Sequence, residues 1–60
     1  MSELKLIRCG EEKVVYLHNN KYVSVDTFNN ILDGWYYMGY DIKKYSMNKD
    51  NRQICVWYIK

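Results

Sequence analysis

One stretch of helical period interrupts a chain whose other apolar residues keep step with β-strands, and that interruption limits the folds open to it. Phe28, Ile31, Leu32, Trp35 and Met38 recur at three- and four-residue steps, which places them on one face of a helix. Asn29, Asn30, Asp33 and Tyr37 fall on the other face. Ser24 or Asp26 can cap the start by accepting from amides two or three residues on. Gly39 suits the position after the end, where a left-handed backbone favours glycine. Gly34 opens an alternative: as the C-terminal glycine it would stop the helix at Asp33, and Trp35 would begin a strand. The helix reaching Met38 is preferred because Trp35 keeps the helical phase.

Strand signals flank the helix. Leu4 to Arg8 reads as a first strand, followed by a turn at Cys9-Gly10-Glu11-Glu12 where Gly10 can take positive φ. Lys13 to His18 is rich in β-branched and aromatic residues and reads as a second strand. Asn19-Asn20 tolerates the left-handed backbone of a two-residue hairpin turn, so Lys21-Tyr22-Val23 returns as a short third strand ending near Ser24. Tyr40 to Met47 reads as a fourth strand, with Ile42 or Tyr45 inward depending on register. Asn48-Lys49-Asp50-Asn51 has turn character, and Arg52 to Ile59 forms a fifth strand. That last strand carries Ile54, Val56 and Tyr58 on one side and Cys55, Trp57 and Ile59 on the other, so both of its faces are apolar. The expectation is α+β: a small antiparallel sheet of two hairpins with one amphipathic helix packed on one face, in the order ββ(β)αββ. A single domain spanning residues 1–60 is expected, with Phe28, Ile31, Leu32, Ile54 and Val56 in its core.

A chain of 60 residues buries only about 60% of the surface its unfolded form exposes, so it needs support from elsewhere. Cys9 and Cys55 can make at most one bridge, between the first and last strands. The start of the chain lacks the apolar run of a signal peptide. No apolar stretch approaches the roughly 20 residues that span a bilayer. A cytoplasmic protein with reduced thiols is expected, no membrane contact is implied, and self-association, most simply a homodimer, is the expected support.

Composition carries the functional reading. The chain holds seven tyrosines, two tryptophans and one phenylalanine. Such side chains bury large areas at low entropic cost and serve recognition surfaces well. One helix covers one face of a sheet, so the other face is expected to be Tyr/Trp-rich and open, or to meet a partner. Charge is uneven: residues 1–39 carry four basic and five acidic side chains, and residues 40–60 carry five basic and two acidic ones. Asn, Lys, Tyr and Ile make up 25 of the 60 residues, while Ala and Pro are absent. That preference for residues with A/T-rich codons suggests an A/T-rich genome. In size and composition the chain resembles the small host-takeover and anti-defence proteins of phages. For such a protein the resemblance implies work inside the host-cell cytoplasm.

Catalytic chemistry finds no support in the pattern. His18, Cys9 and Cys55 lack the paired spacings of a metal site, and nothing around either thiol suggests activation. The acids are scattered, and Gly10, Gly34 and Gly39 form no phosphate-binding loop. The expectation is a non-enzyme, with no catalytic or metal-ligating residue and no cofactor, that binds and occludes another protein. The partner-binding residues expected are Tyr36, Tyr37 and Tyr40 around the helix exit, with Tyr45, Trp57 and Tyr58 on the last hairpin. The alternative is a single-stranded nucleic-acid binder in which Lys43, Lys44, Tyr45, Arg52, Trp57 and Lys60 combine cations with stacking rings. That platform requires Lys43 and Tyr45 to project from the same face as Trp57. The sequence pI of ≈ 8.6 lies below the values typical of dedicated nucleic-acid modules.

Overall fold

A computed structural model describes residues 2–60; Met1 of the expected 1–60 domain lies outside them. The chain runs β1 (Ser2–Cys9), β2 (Lys13–His18), β3 (Lys21–Val23), α1 (Val25–Met38), β4 (Lys43–Lys49) and β5 (Arg52–Ile59). All five strands form one antiparallel sheet in the order β3-β2-β1-β5-β4, so the fold is α+β as the periodicities imply.

Local chemistry explains the elements. Asn19 and Asn20 take φ of 51° and 67°, and Asp50 and Asn51 take 53° and 63°. Two consecutive left-handed residues make the turn whose twist matches a two-residue hairpin, and Asn and Asp tolerate that backbone best after glycine. The second turn is therefore narrower than expected. β4 continues through Asn48 and Lys49, and its start moves from Tyr40 to Lys43. The shift follows from the helix exit, where Gly39 lies at φ 77°. The Gly39 amide donates to the Tyr36 carbonyl and the Tyr40 amide to the Trp35 carbonyl, both at 3.1 Å. These two bonds close a Schellman motif, so Tyr40 belongs to the helix exit rather than to a strand. Gly34 lies within the helix, which continues to Met38. At the other end Ser24 accepts from the Thr27 amide at 3.2 Å, and Asp26 sits in the first turn.

Side-chain alternation then assigns the faces. Leu4 pairs with Trp57, Leu6 with Cys55 and Ser2 with Ile59 across β1 and β5, and Leu6 pairs with Tyr16 on β2. Cross-strand partners share a face, and this is the face that α1 covers. Leu4, Phe28 and Trp35 are buried there, with Leu6, Tyr16, Val23, Ile31, Leu32, Ile42, Trp57 and Ile59 packed around them. The Phe28 ring meets Tyr16 at 5.0 Å and Trp57 edge-on at 5.5 Å. Val56 is buried as expected of a core residue and Ile54 half-buried, but both stand on the sheet face opposite α1, because they alternate with Cys55 and Trp57. Met38 is 66% exposed despite its helical phase, since the chain leaves the sheet at Gly39.

The two thiols also fall on opposite faces. Cys9 pairs with Arg52 and Cys55 with Leu6, one residue out of phase, so the bridge between first and last strands is not made and both cysteines are free. No helix among the described residues is long and apolar enough to cross a membrane.

Truncation should separate core from surface. Phe28→Ala is expected to cost about 3–5 kcal/mol, against a total on the order of 3–9 kcal/mol for a domain this size. Tyr37→Ala, at a ring 91% exposed, should leave the melting curve unchanged. A methyl group at Gly34 would meet nothing within 4 Å, so Gly34→Ala is expected to stabilise by about 0.5–1 kcal/mol. Thermal unfolding followed by circular dichroism reads all three, and a destabilised Tyr37→Ala would refute the surface assignment.

Candidate functional site

The side of the sheet away from α1 has no second layer among the described residues. Its make-up follows from the register. One row across four strands reads Val15, Ile7, Ile54 and Met47, and the next reads Tyr22, Leu17, Lys5, Val56 and Tyr45 across all five. Glu3, Tyr58 and Lys43 form a third row, and Lys13, Cys9, Arg52 and Lys49 a fourth. The centre is therefore aliphatic and aromatic, and the charges stand mainly at the strand ends.

Within this face Val56 is buried to 1% because Lys5 and Tyr45 flank it across the strands. The Tyr45 and Tyr58 rings meet in a T-shape at 6.0 Å. Met47 and Tyr45 are 44% and 45% exposed. Lys5 reaches Glu3 at 3.6 Å and Lys43 reaches Asp41 at 3.2 Å, both partly solvated pairs of small energetic weight.

Charge is uneven between the two sides. Lys5, Lys13, Lys43, Lys49 and Arg52 stand on the open face against the carboxylate of Glu3, giving +4 on that face. On the other side Arg8, Lys21 and Lys44 of the strands stand against Asp26 and Asp33 of the helix, giving +1. The acids of the turns, Glu11, Glu12, Asp41 and Asp50, belong to neither face. The open face is thus the more cationic of the two.

The expected partner-binding residues divide among three places. Tyr45 and Tyr58 lie together on the open face. Tyr36, Tyr37 and Tyr40 are exposed at the helix exit. Trp57 is half-buried in the core layer, edge-on to Phe28. The nucleic-acid set divides as well. Lys43, Tyr45 and Arg52 are on the open face, whereas Lys44 pairs with Trp57 on the helix side, its ammonium 5.2 Å from the ring centroid. Lys43 and Tyr45 therefore do not share a face with Trp57. Lys60 lines a surface cavity of about 360 Å³ with Tyr40, Asp41, Lys43 and Ile59.

Ile7, Val15, Leu17 and Met47 complete this face without being marked in the sequence by any motif. Val15 and Leu17 alternate on β2 with Val14 and Tyr16, so both of its faces are apolar and alternation alone could not say which set α1 would leave uncovered. Ile7 and Met47 are single aliphatic side chains among polar or aromatic neighbours on their faces of β1 and β4. Among the described residues no three His, Cys, Asp or Glu side chains gather as a metal site. His18 lies 3.4 Å from the Asn19 amide nitrogen.

The chain matches no known family, and comparisons with curated proteins and with solved structures find no match.

Buried and exposed positions of this face should be separable by mutation. Val56→Ala, at a fully buried side chain, is expected to cost about 1.5–3 kcal/mol, whereas Met47→Lys should leave the melting temperature within a few degrees. The native protein should bind a hydrophobic dye such as ANS, and Met47→Lys should reduce that signal. Dye binding that rises only on unfolding would refute an accessible apolar face.

Proposed function

We propose that this chain is a small non-enzymatic protein-binding module that docks its uncovered sheet face on another protein and occludes the surface it covers. The observation that carries this reading is the apolar row of Val15, Ile7, Ile54 and Met47 across four strands, with Leu17, Tyr45 and Tyr58 beside it and Lys5 standing next to Val56 in the neighbouring row. A five-stranded sheet with strands about 4.8 Å apart presents a face on the order of 500 Å² in projection. With its side-chain relief that approaches the ~800 Å² per partner of a standard interface. An apolar centre ringed by charge is the anatomy of a recognition surface. In the phage-type setting that size and composition suggest, such a face would act by covering a working surface of a host protein.

Self-association belongs to the same reading, at a different place. Tyr36, Tyr37 and Met38 are exposed on the last turn of α1, a helix without cations, and Tyr40 is exposed just beyond it. Such a patch can meet its own copy across a two-fold axis, whereas the cationic rim of the sheet face would repel itself. A single-stranded nucleic-acid binder is the second reading, favoured by five cations and the rings of Tyr22, Tyr45 and Tyr58 on one face. The aliphatic centre weighs against it, because bases stack on rings rather than on branched aliphatic side chains.

Affinity capture from cells of the source organism, read beside light scattering, tests this division of labour. A Tyr45→Ala/Met47→Lys double variant should lose the captured protein, with a drop in affinity of about 30-fold or more if these are central contacts, and keep its mass. Tyr36→Ala/Tyr37→Ala should fall to monomer mass and still capture. Equal capture by the sheet-face variant would overturn the proposal. Salt-sensitive binding of mixed-sequence single-stranded DNA in place of a protein would promote the second reading.

A further inference from the structure

The sheet has two edges, and they are not equivalent. β3 at one edge is three residues long and passes through Ser24 directly into α1. β4 at the other edge is seven residues long, exposed throughout, and pairs only with β5. Among the described residues it therefore presents a row of backbone N–H and C=O groups with no neighbouring strand. Such a row is a template for strand addition.

The side chains of β4 say what kind of strand fits. On the open face Lys43 and Lys49 bracket Tyr45 and Met47. On the helix side Lys44 stands over Trp57, followed by Ser46 and Asn48. The strand carries three lysines and no acid. Two copies of β4 side by side would bring six lysines and no carboxylate into one strand pair, and the fully matched antiparallel register sets Lys43 of each against Lys49 of the other, which like-charge repulsion opposes. An acidic strand meets the reverse situation. Carboxylates opposite the lysines gain attraction, and apolar residues opposite Tyr45 and Met47 extend the apolar centre of the open face by one strand.

We propose that β4 receives an acidic extended segment of the partner protein by antiparallel strand addition, with carboxylates opposite Lys43, Lys44 and Lys49 and apolar residues opposite Tyr45 and Met47. This inference rests on the protein-binding reading and adds the chemistry of the partner and the backbone edge that holds it. The open face then takes the rest of the partner's surface, while the edge sets register and direction. Salt weakens the contact, because the ion pairs lie at the solvent-exposed rim.

The probe is the peptide acetyl-Glu-Thr-Val-Thr-Val-Glu-Glu-amide, titrated into the full chain labelled with nitrogen-15. Alternate β4 amides are expected to shift and to gain protection from hydrogen exchange. Lys43→Gln and Lys49→Gln, both at exposed positions, should each weaken binding by up to about fivefold. A peptide N-methylated at one alternate set of residues should lose binding, and one methylated at the other set should keep it. That contrast belongs to a hydrogen-bonded edge and to no side-chain docking mode. Several results would overturn strand addition: no binding at millimolar peptide, equal binding of a peptide with lysine in place of glutamate, or shifts at Ile7, Val15 and Ile54 with the β4 amides unprotected. Protection of the same amides by a mixed-sequence single-stranded DNA decamer, or by raising the concentration of the chain alone, would assign the edge to nucleic acid or to a second copy and equally overturn it. If the peptide fails while the Tyr45→Ala/Met47→Lys variant still loses its captured protein, the edge proposal falls and the sheet-face reading stands.

Discussion

Pairing of β1 with β5 is the interaction on which the rest of the molecule depends. These strands come from opposite ends of the chain and lie side by side in the middle of the sheet, matched over eight residues from Ser2–Ile59 to Cys9–Arg52. The β4-β5 hairpin would be marginal alone, and the three-stranded β1-β2-β3 meander ends in a strand of only three residues. Joined through β1 and β5, they become one sheet wide enough to bury Leu4 completely against Phe28 and Trp35. The loop-closure entropy of bringing these ends together is spent once, and every later contact draws on it. The turn at Asn19 adds a local lock, since its amide donates to the Glu3 carbonyl and its side chain accepts from the Glu3 amide, both at 2.9 Å.

A single helix then divides the sheet into two unlike faces. Its buried stripe of Phe28, Ile31, Leu32 and Trp35 has one sheet face to meet, and it meets the one bearing Leu4, Tyr16 and Trp57. The opposite face keeps its own aliphatic row with no second layer over it among the described residues. In a larger domain a second helix or sheet would fill that place. Among the described residues that row is half-buried to exposed surface, the kind of patch on which the protein-binding proposal rests.

Charge differs between the faces as well. The open face carries +4, while the cations of the helix side, Arg8, Lys21 and Lys44, are largely offset by Asp26 and Asp33 of α1. The tyrosines that drew attention in the sequence are distributed between the two sides rather than gathered, with Tyr45 and Tyr58 on the sheet face and Tyr36, Tyr37 and Tyr40 at the helix exit. Trp57 serves the core instead, its ring edge-on to Phe28 and its far side under Lys44.

What was legible in the sequence was whatever depends on a few neighbouring residues. The extent of α1 could be read from its period, from Ser24 at its start and from Gly39 at its end. The Asn19-Asn20 hairpin could be read from side chains that tolerate left-handed backbone. β4 was displaced by three residues at its start because the Schellman turn that holds Tyr40 is a property of the helix exit, not of strand propensity. The faces were not legible in the same way. β5 carries Ile54, Val56 and Tyr58 on one side and Cys55, Trp57 and Ile59 on the other, and a one-residue slip would exchange the two sets at little apparent cost. Only its pairing with β1, which opposes Leu4 to Trp57, turned Trp57 toward the helix and left Ile54 and Val56 looking outward. Local sterics and hydrogen bonding determined the elements within the sequence itself. Which side of the sheet α1 buries, and therefore which residues are free to meet a partner, was decided by a contact between the two ends of the chain that no local pattern encodes.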